Sequence, residues 1–181
     1  MYEPFTNQCV SRPQYALLKR AYTDYRTNGH PCQRGATNQC AVRMSIALGR
    51  AGFGLEGYQP QARLHNGAGR CRTDGMPHLM AAREVADWLR RTLGQPVGFR
   101  PQAGSTGCEH AHATMRGQTG IVYFNNCFIR AGAATQSGDH IDLFDGHRIY
   151  NDINNTRAGG DETRHGPLFG RADEVWFWPL A

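Results

Sequence analysis

The segment from Thr37 to Leu48, TNQCAVRMSIAL, constrains the fold of this 181-residue chain more than any other. Asn38 is a favourable N-cap residue, because its side-chain oxygen can accept a hydrogen bond from the free N–H groups of a first helical turn. Beyond it, apolar residues recur at the three- to four-residue spacing of one helix face, which predicts an amphipathic helix. The residues on that face are Cys40, Met44, Ala47 and Leu48.

Cys40 falls in the first turn of this predicted helix, and that position has chemical consequences. A helix N-terminus carries partial positive charge and N–H groups without intrahelical partners. Both favour the thiolate, which is the reactive form of cysteine, and the same N–H groups can face a developing oxyanion. The alternative is a small buried residue on a core helix, as free cysteines often are. The segment alone does not separate the two interpretations.

A second stretch, residues 138–152 with the sequence GDHIDLFDGHRIYND, predicts two short strands around a turn. The Asp-Gly pair at 145–146 is a strong signal for a two-residue hairpin. Such a turn would pair residue 144 with residue 147. Farther along the same ladder, His140 and Asn151 would be cross-strand neighbours on one face.

A cysteine nucleophile needs a base, and the base needs a third group that fixes its tautomer and orientation. Cys40, His140 and Asn151 supply such a set, and we predict them as the catalytic residues. A register slip of one residue would offer Asp152 in place of Asn151. Asp142 shares the face of His140 by strand alternation, so it is a further candidate for orienting the imidazole or for contacting substrate.

Two other positions are candidates only because of where they lie. Gln39 precedes Cys40 and Asp139 precedes His140, so both are predicted to line a substrate groove.

The run Cys108-Glu109-His110-Ala111-His112 matches no common zinc spacing, and no fourth ligand is evident. We therefore predict exposed histidines there, with neither a metal site nor a cofactor.

The order of the elements predicts an α+β fold in a single domain spanning residues 1–181. Helices are predicted from Pro13 to Tyr25, with Tyr22 packing in the core, and from Leu79 to Leu93. Antiparallel strands follow. These are Val97–Phe99, Gly120–Ile129 with a bulge at 125–126, the two strands of the hairpin, and Glu174–Trp178, in which Val175 and Phe177 face one side and Trp176 and Trp178 the other.

Charge and hydropathy exclude several classes of protein. The net charge is +5, but the arginines are scattered, with no basic stripe interleaved with aromatic residues, so nucleic acid is not predicted as a partner. The same charge suits an anionic polymer. No apolar run reaches 18 residues, which argues against membrane insertion. The N-terminus lacks the pattern of a secretory signal peptide, which predicts synthesis in the cytoplasm.

Cysteine usage leaves the redox state open. The six cysteines lie at positions 9, 32, 40, 71, 108 and 127, and none forms a Cys-x-x-Cys pair. If Cys40 is a nucleophile, at most two disulfides form within the chain, and their connectivity cannot be deduced from the sequence.

Three blocks together resemble one known family: NQCAVRMSIAL, GDHIDLFDG and ADEVWFWPL. They are similar to the family 4 amidase effectors of bacterial type VI secretion systems, which are papain-like, NlpC-type cysteine peptidases that cut cell-wall peptide. The resemblance implies a papain-like fold in which Cys40 is the nucleophile and His140 the general base. Asn151 falls where the family usually has an aspartate, so the identity of the orienting residue stays open.

The resemblance also carries expectations about biology. It implies cleavage of the bond between D-glutamate and diaminopimelate in peptidoglycan, export by the secretion apparatus, and action in the periplasm of target bacteria. It further implies a cognate immunity protein that blocks the site in the producing cell. Two alternatives remain: a papain-like cysteine deamidase or transferase acting on a protein, and a non-catalytic cell-wall-binding domain.

Overall fold

The computed structural model describes residues 12–27, 40–55, 78–130, 132–149 and 166–181, and the account that follows concerns these residues. Three helices come first, and four strands follow with two shorter helices between them. In order they are α1 (Tyr15–Thr27), α2 (Cys40–Arg50), α3 (Ala82–Thr92), β1 (Val97–Phe99), α4 (Glu109–Met115), β2 (Thr119–Ile129), β3 (Gln136–Asp145), α5 (Gly166–Phe169) and β4 (Glu174–Pro179). Within them, no helix is both long enough and apolar enough to cross a membrane.

The four strands form one antiparallel sheet in the order β1-β4-β2-β3. β2 is central and carries a run of β-branched and aromatic residues, which pack well on a surface buried on both sides. β3 is an edge strand. Its position leaves it accessible to the N-terminal helices, and α2 packs against it.

Side chains alternate between two hydrophobic cores on the two faces of the sheet. α1, α2 and α3 cover the face that bears Ile121, Tyr123 and Leu143. α4 and α5 contribute to the core on the face that bears Val122 and Phe124. The predicted alternation of β4 is confirmed, since Val175 and Phe177 enter the second core while Trp176 and Trp178 enter the first.

Two predicted helices begin later than the sequence suggested. α1 starts at Tyr15 rather than Pro13, and the Tyr15 N–H donates to the carbonyl of the C-terminal Ala181 at 2.9 Å. α3 starts at Ala82 rather than Leu79. There, the Leu79 N–H donates to Ser45 Oγ at 3.1 Å, and this bond ties the segment to α2 before the helix begins.

The predicted two-residue turn at 145–146 is wrong. Phe144 pairs with Ile149 rather than with residue 147, so the connection is two residues longer than predicted. A type I′ turn needs positive φ at both central residues. Among the described residues Asn126 is the only non-glycine with positive φ, so Asp145 does not meet this requirement. Instead, the Asp145 carboxylate accepts hydrogen bonds from the backbone N–H groups of His147 and Arg148 at 3.0 and 2.9 Å, which closes a wider loop.

The predicted bulge in β2 is confirmed by a register shift between Phe124 and Phe128. Asn126 holds the left-handed conformation there, with φ of 49°. Its backbone N–H donates to Asp139 Oδ1 at 3.0 Å, and its side-chain amide donates to Asp173 Oδ2 at 2.8 Å. The bulge is therefore fixed by β3 on one side and by the residue that precedes β4 on the other.

Candidate active site

Cys40 is the first residue of α2, and its predicted place in the first turn of this helix is confirmed. Its side chain is only 2 % exposed and belongs to the core formed with α1 and α3. The N–H groups of the first helical turn have no partners within the helix, so they lie available next to the thiol.

Ser45, one turn after Cys40, fixes α2 against the segment that leads to α3. Its hydroxyl donates to the Ala41 carbonyl at 2.8 Å and accepts from the Leu79 N–H at 3.1 Å. Ala41 is itself buried, which leaves room for only a small side chain beside Cys40. Ala41 thus contributes to packing beside Cys40, and Ser45 anchors α2 to the segment that leads to α3.

His140 lies in β3 opposite Phe124, and its side chain is 12 % exposed. Its Nε2 atom is 3.2 Å from Oδ2 of Asp142. Asp142 is fully buried, and its other oxygen accepts from the Leu143 N–H at 2.7 Å. Of the three orienting candidates considered from the sequence, Asp142 is thus in hydrogen-bond contact with the imidazole.

Cys40, at the start of α2, lies close enough to His140 in β3 for its thiol to affect the pKa of the imidazole. Because Nε2 faces Asp142, Nδ1 is the ring nitrogen left for the thiol. Burial alone lowers the pKa of His140, but the hydrogen bonds with Asp142 and Cys40 and the negative charges of both residues outweigh burial and raise that pKa to about 10. The site therefore favours the protonated form of the His140 imidazole.

Tyr22 of α1 completes the surroundings of this pair. It is 1 % exposed and shares a core with Cys40. Burial raises the pKa of Tyr22 well above its usual range, and the negative charges of Asp142 and Cys40 and a hydrogen bond with Asp142 raise it further, while Arg43 lowers it. The sequence predicted only core packing for Tyr22, and no signal in its spacing separates it from an ordinary core tyrosine.

The other candidates fall into two groups. The Asp139 carboxylate accepts from the Asn126 N–H at 3.0 Å, so it holds the β2 bulge. Gln39, Asn151 and Asp152 lie outside the described residues. The pairing of His140 with Asn151 had rested on the two-residue turn, and the observed pair of Phe144 and Ile149 replaces that register.

Two further cysteines are described, and both differ from Cys40 in their surroundings. Cys108 and Cys127 are free and buried. Burial raises the pKa of both thiols, that of Cys108 to about 11. The charge of Cys40 also raises the pKa of Cys127. The Cys108 thiol donates to the carbonyls of Phe99 and Ala172 at 3.5 and 3.3 Å. Both thiols are thereby held in the unreactive protonated form.

The described residues hold no group of three or more His, Cys, Asp or Glu side chains that could bind a metal. Most of the 108–112 run is helical, because α4 begins at Glu109, directly after Cys108. His112 Nε2 lies 2.8 Å from the His147 carbonyl, and its ring packs edge-on against Phe144 and Phe169.

A thiol at a helix N-terminus facing an imidazole on an antiparallel sheet is the arrangement of the papain-like, NlpC-type fold. The sequence model of the family described as type VI secretion system amidase effector protein 4 matches residues 36–178. The chain belongs to this family of amidase effectors, and the family recognised from the sequence is confirmed. Membership makes it a hydrolase of the type VI secretion system directed at bacterial peptidoglycan.

Solved structures agree with this fold. The chain is similar to the type VI effector Tae4 in the Tae4-Tai4 effector-immunity complex from Enterobacter cloacae, with a TM-score of 0.62 and 15 % identity over 94 % of this chain and 100 % of that one. For the corresponding complex from Salmonella Typhimurium, the TM-score is 0.62 and the identity is 17 % over 94 % of this chain and 100 % of that one. For Tae4 from Enterobacter cloacae alone, the TM-score is 0.61 and the identity is 16 % over 94 % of this chain and 98 % of that one. No curated protein sequence matches the chain.

Proposed function

We propose that this protein is a cysteine amidase that hydrolyses the stem peptide of peptidoglycan, with Cys40 as nucleophile and His140 as general base. The observation that carries the proposal is the proximity of these two side chains, since Cys40 at the start of α2 raises the pKa of His140 in β3. The raised pKa of His140 supports an imidazole that is protonated near neutral pH beside Cys40 and can donate a proton to a leaving group.

Acylation follows from this geometry. The Cys40 thiolate attacks the carbonyl carbon of the amide, and the new C–S bond moves the carbonyl electron pair onto oxygen. The free N–H groups at the start of α2 donate to that oxyanion. The imidazolium of His140 gives its proton to the leaving nitrogen, the C–N bond breaks, and a thioester remains on Cys40.

Deacylation uses the same groups in reverse. His140, now neutral, takes a proton from a water molecule while the water oxygen attacks the thioester carbonyl. The C–S bond breaks, the free acid leaves and the thiolate–imidazolium pair is restored. No cofactor enters either step.

We propose Asp142 as the residue that orients His140. It contacts Nε2 at 3.2 Å, its own position is held by the Leu143 N–H, and its negative charge stabilises the imidazolium. Asn151 and Asp152 remain predicted alternatives for this role. Gln39 remains a predicted groove residue, and for Asp139 we propose a role in the β2 bulge rather than in substrate contact.

Within the stem peptide we propose the bond between D-glutamate and diaminopimelate as the target. The family resemblance of the sequence blocks around Cys40 and His140 supports this choice. The net charge of +5 fits an anionic wall polymer, whose approach it would accelerate at low ionic strength.

We propose that the protein is made in the cytoplasm, is exported by the type VI secretion apparatus, and acts in the periplasm of target bacteria as a single domain spanning residues 1–181. We also propose a cognate immunity protein as its partner. Two of the similar solved structures are complexes of the effector Tae4 with the immunity protein Tai4, and this supports the partner.

The test is digestion of isolated Gram-negative peptidoglycan by the purified protein, followed by mass analysis of the released muropeptides. Loss of tetrapeptide stems with new D-glutamate-ended fragments is expected, and Cys40→Ser should abolish both changes. Cys108→Ser is the matched control, because it makes the same replacement at a buried thiol outside the site.

Other results would point elsewhere. Intact muropeptides together with a hyper-reactive Cys40 would move the chemistry to a protein substrate, as in a deamidase or transferase. Intact muropeptides with an unreactive Cys40 would leave a wall-binding domain.

A further inference from the structure

The strand that carries His140 is held in the sheet from one side. β3 pairs with β2, and in the part of the chain that the structure describes no second strand pairs with it at His140. An edge strand has a single neighbour to fix its register and its position. The place of the proposed base therefore depends on how β2 holds β3 at this point.

The regular pairing of the two strands ends at His140. Phe124 lies opposite His140 in the last regular pair, and the next pair joins Phe128 with Gly138. Between these two pairs β2 has three residues, whereas β3 has only Asp139. The extra residues form the bulge of β2, and bulges that lie next to functional sites commonly re-aim a side chain.

Asp139 supplies a hydrogen-bond acceptor to the bulge that it faces. Its Oδ1 atom accepts from the Asn126 N–H at 3.0 Å. Asn126 has a positive φ of 49°, which is uncommon for a non-glycine residue and has to be stabilised by its surroundings. Its side-chain amide donates to Asp173 Oδ2 at 2.8 Å, and its carbonyl accepts from the Gln136 side-chain amide. Of these three partners, Asp139 is the one directly adjacent to His140.

Gly138, the residue before Asp139, is also held by the bulge. The Cys127 thiol donates to the Gly138 carbonyl at 3.4 Å. The Phe128 ring packs directly on Gly138, since a Cβ atom there would lie 2.3 Å from the ring. Both residues that precede His140 are therefore tied to the bulge, Asp139 by its side chain and Gly138 by its backbone.

We propose that Asp139 is a positioning residue, whose hydrogen bond with the Asn126 N–H holds β3 against the bulge and thereby keeps the imidazole of His140 in place for Cys40. This inference rests on the proposed function, in which His140 and Cys40 react. Neighbouring residues of a strand point to opposite faces, so Asp139 acts on His140 through the backbone. It touches neither substrate nor leaving group in this scheme.

The two aspartates near His140 have different tasks in this scheme. Asp142 contacts the imidazole at 3.2 Å from the same strand, so it fixes the ring only relative to β3. Asp139 fixes β3 itself relative to β2, just beyond the last regular pair of the two strands. A displacement of about 1 Å at a reacting group can slow an enzyme by about 100-fold. Loss of the Asp139 contact should therefore lower turnover without changing how substrate binds.

The test compares Asp139→Ala with Asp139→Asn on purified peptidoglycan fragments. Alanine removes the acceptor, whereas asparagine keeps an oxygen that can accept from the Asn126 N–H. Asp139→Ala should lower kcat about 10-fold with KM changed less than about 2-fold, and Asp139→Asn should stay within about 3-fold of the unmodified protein. A raised KM in both variants would indicate substrate contact through the charge and would overturn the proposal, as would an unchanged kcat in Asp139→Ala.

Asp173→Ala is the matched control. It removes a carboxylate from the same bulge residue, Asn126, on the side away from β3, and should leave kcat within about 2-fold. An equal loss of kcat in Asp173→Ala and Asp139→Ala would mean that the bulge acts through general stability, and would overturn the proposal. Should Asp139→Ala fail to fold, as judged by its thermal transition, Asp139→Ser replaces it with the same expected loss, because its shorter side chain does not reach the Asn126 N–H in the same geometry.

Alkylation of Cys40 by iodoacetamide at neutral pH distinguishes failure of this inference from failure of the proposed function. The rate reports the reactivity of the thiol beside His140 and needs no substrate. Asp139→Ala should slow it by about 3-fold or more, whereas Asp139→Asn and Asp173→Ala should not. If the unmodified protein leaves peptidoglycan intact, the proposed substrate is wrong, and the alkylation rates alone decide the role of Asp139: a slower rate in Asp139→Ala supports it and an unchanged rate overturns it.

Discussion

Nε2 of His140 lies 3.2 Å from Oδ2 of Asp142, two residues farther along the same strand. Side chains at i and i+2 of a strand share a face, so the proposed base and the carboxylate proposed to orient it come from one short piece of β3. This arrangement does not depend on the hairpin turn. The His-Ile-Asp spacing alone brings the two groups together.

We therefore predict that Asp142→Asn lowers kcat by about 10- to 100-fold with little change in KM, because an amide cannot stabilise the imidazolium by charge. Asp145→Asn, at the end of the same strand, is the matched control, since its Oδ1 acceptor is retained. The measurement is steady-state hydrolysis of purified muropeptides. Full activity of Asp142→Asn together with an inactive Asn151→Ala would assign orientation to Asn151. The largest loss in Asp152→Ala would assign it to Asp152.

The raised pKa of His140 predicts how stability depends on pH. The ordinary histidine value is 6.5 and the folded value is about 10. A group whose pKa rises on folding stabilises the native state fully below its unfolded value, and this contribution is lost as pH rises through its folded value. The stabilisation from the imidazolium contacts with Asp142 and Cys40 should thus decline between about pH 6.5 and 10.

Urea unfolding at a series of pH values checks this prediction. His140→Gln should remove the decline across that window, whereas His147→Gln, at an exposed position on the adjoining loop, should retain the pH dependence of the unmodified protein. Identical pH profiles for the unmodified protein and His140→Gln would contradict the charged pair.

The three described thiols should react at very different rates. Cys40 lies beside His140 and raises the pKa of that imidazole, whereas burial raises the pKa of Cys108 to about 11 and raises that of Cys127 as well. We expect iodoacetamide at pH 7 to modify Cys40 at least about 10-fold faster than Cys108 or Cys127, because the thiolate is the nucleophile. Peptide mapping by mass spectrometry after short exposures measures each site. Equal rates, or a Cys40 rate unaffected by His140→Ala, would argue against an activated thiol.

Much of the fold followed from local patterns in the sequence, whereas Cys40 and His140 as catalytic residues stay a prediction. The first turn of α2, the long strand β2 with its bulge and the alternation of β4 are properties of spacing and side-chain shape, which tertiary contacts then reinforced. The resemblance of three short blocks identified the family correctly.

Predictions that depended on exact backbone geometry were less successful. The Asp-Gly pair favoured a two-residue turn, but the Asp145 side chain bonds the N–H groups of His147 and Arg148 and favours a longer loop. This competition between a side chain and the backbone is invisible to a motif that counts residues. The charge of Asp142 raises the pKa of Tyr22, a residue 120 positions earlier in the chain, and helical periodicity carries no information about such a long-range influence.

Gly120 shows how closely the strands next to the site are packed, and it allows a test of the fold itself. A Cβ atom at Gly120 would lie 2.2 Å from the Trp178 carbonyl oxygen and 2.7 Å from the Phe177 ring. Backbone cannot move aside cheaply, so Gly120→Ala should lower the free energy of unfolding by about 2–3 kcal/mol. Gly98→Ala, in strand β1, is the control, since a Cβ there meets no atom within 4 Å. Chemical denaturation of both variants should show a loss for Gly120→Ala and a near-neutral effect for Gly98→Ala, and equal stabilities would mean that β2 and β4 are not paired in this register.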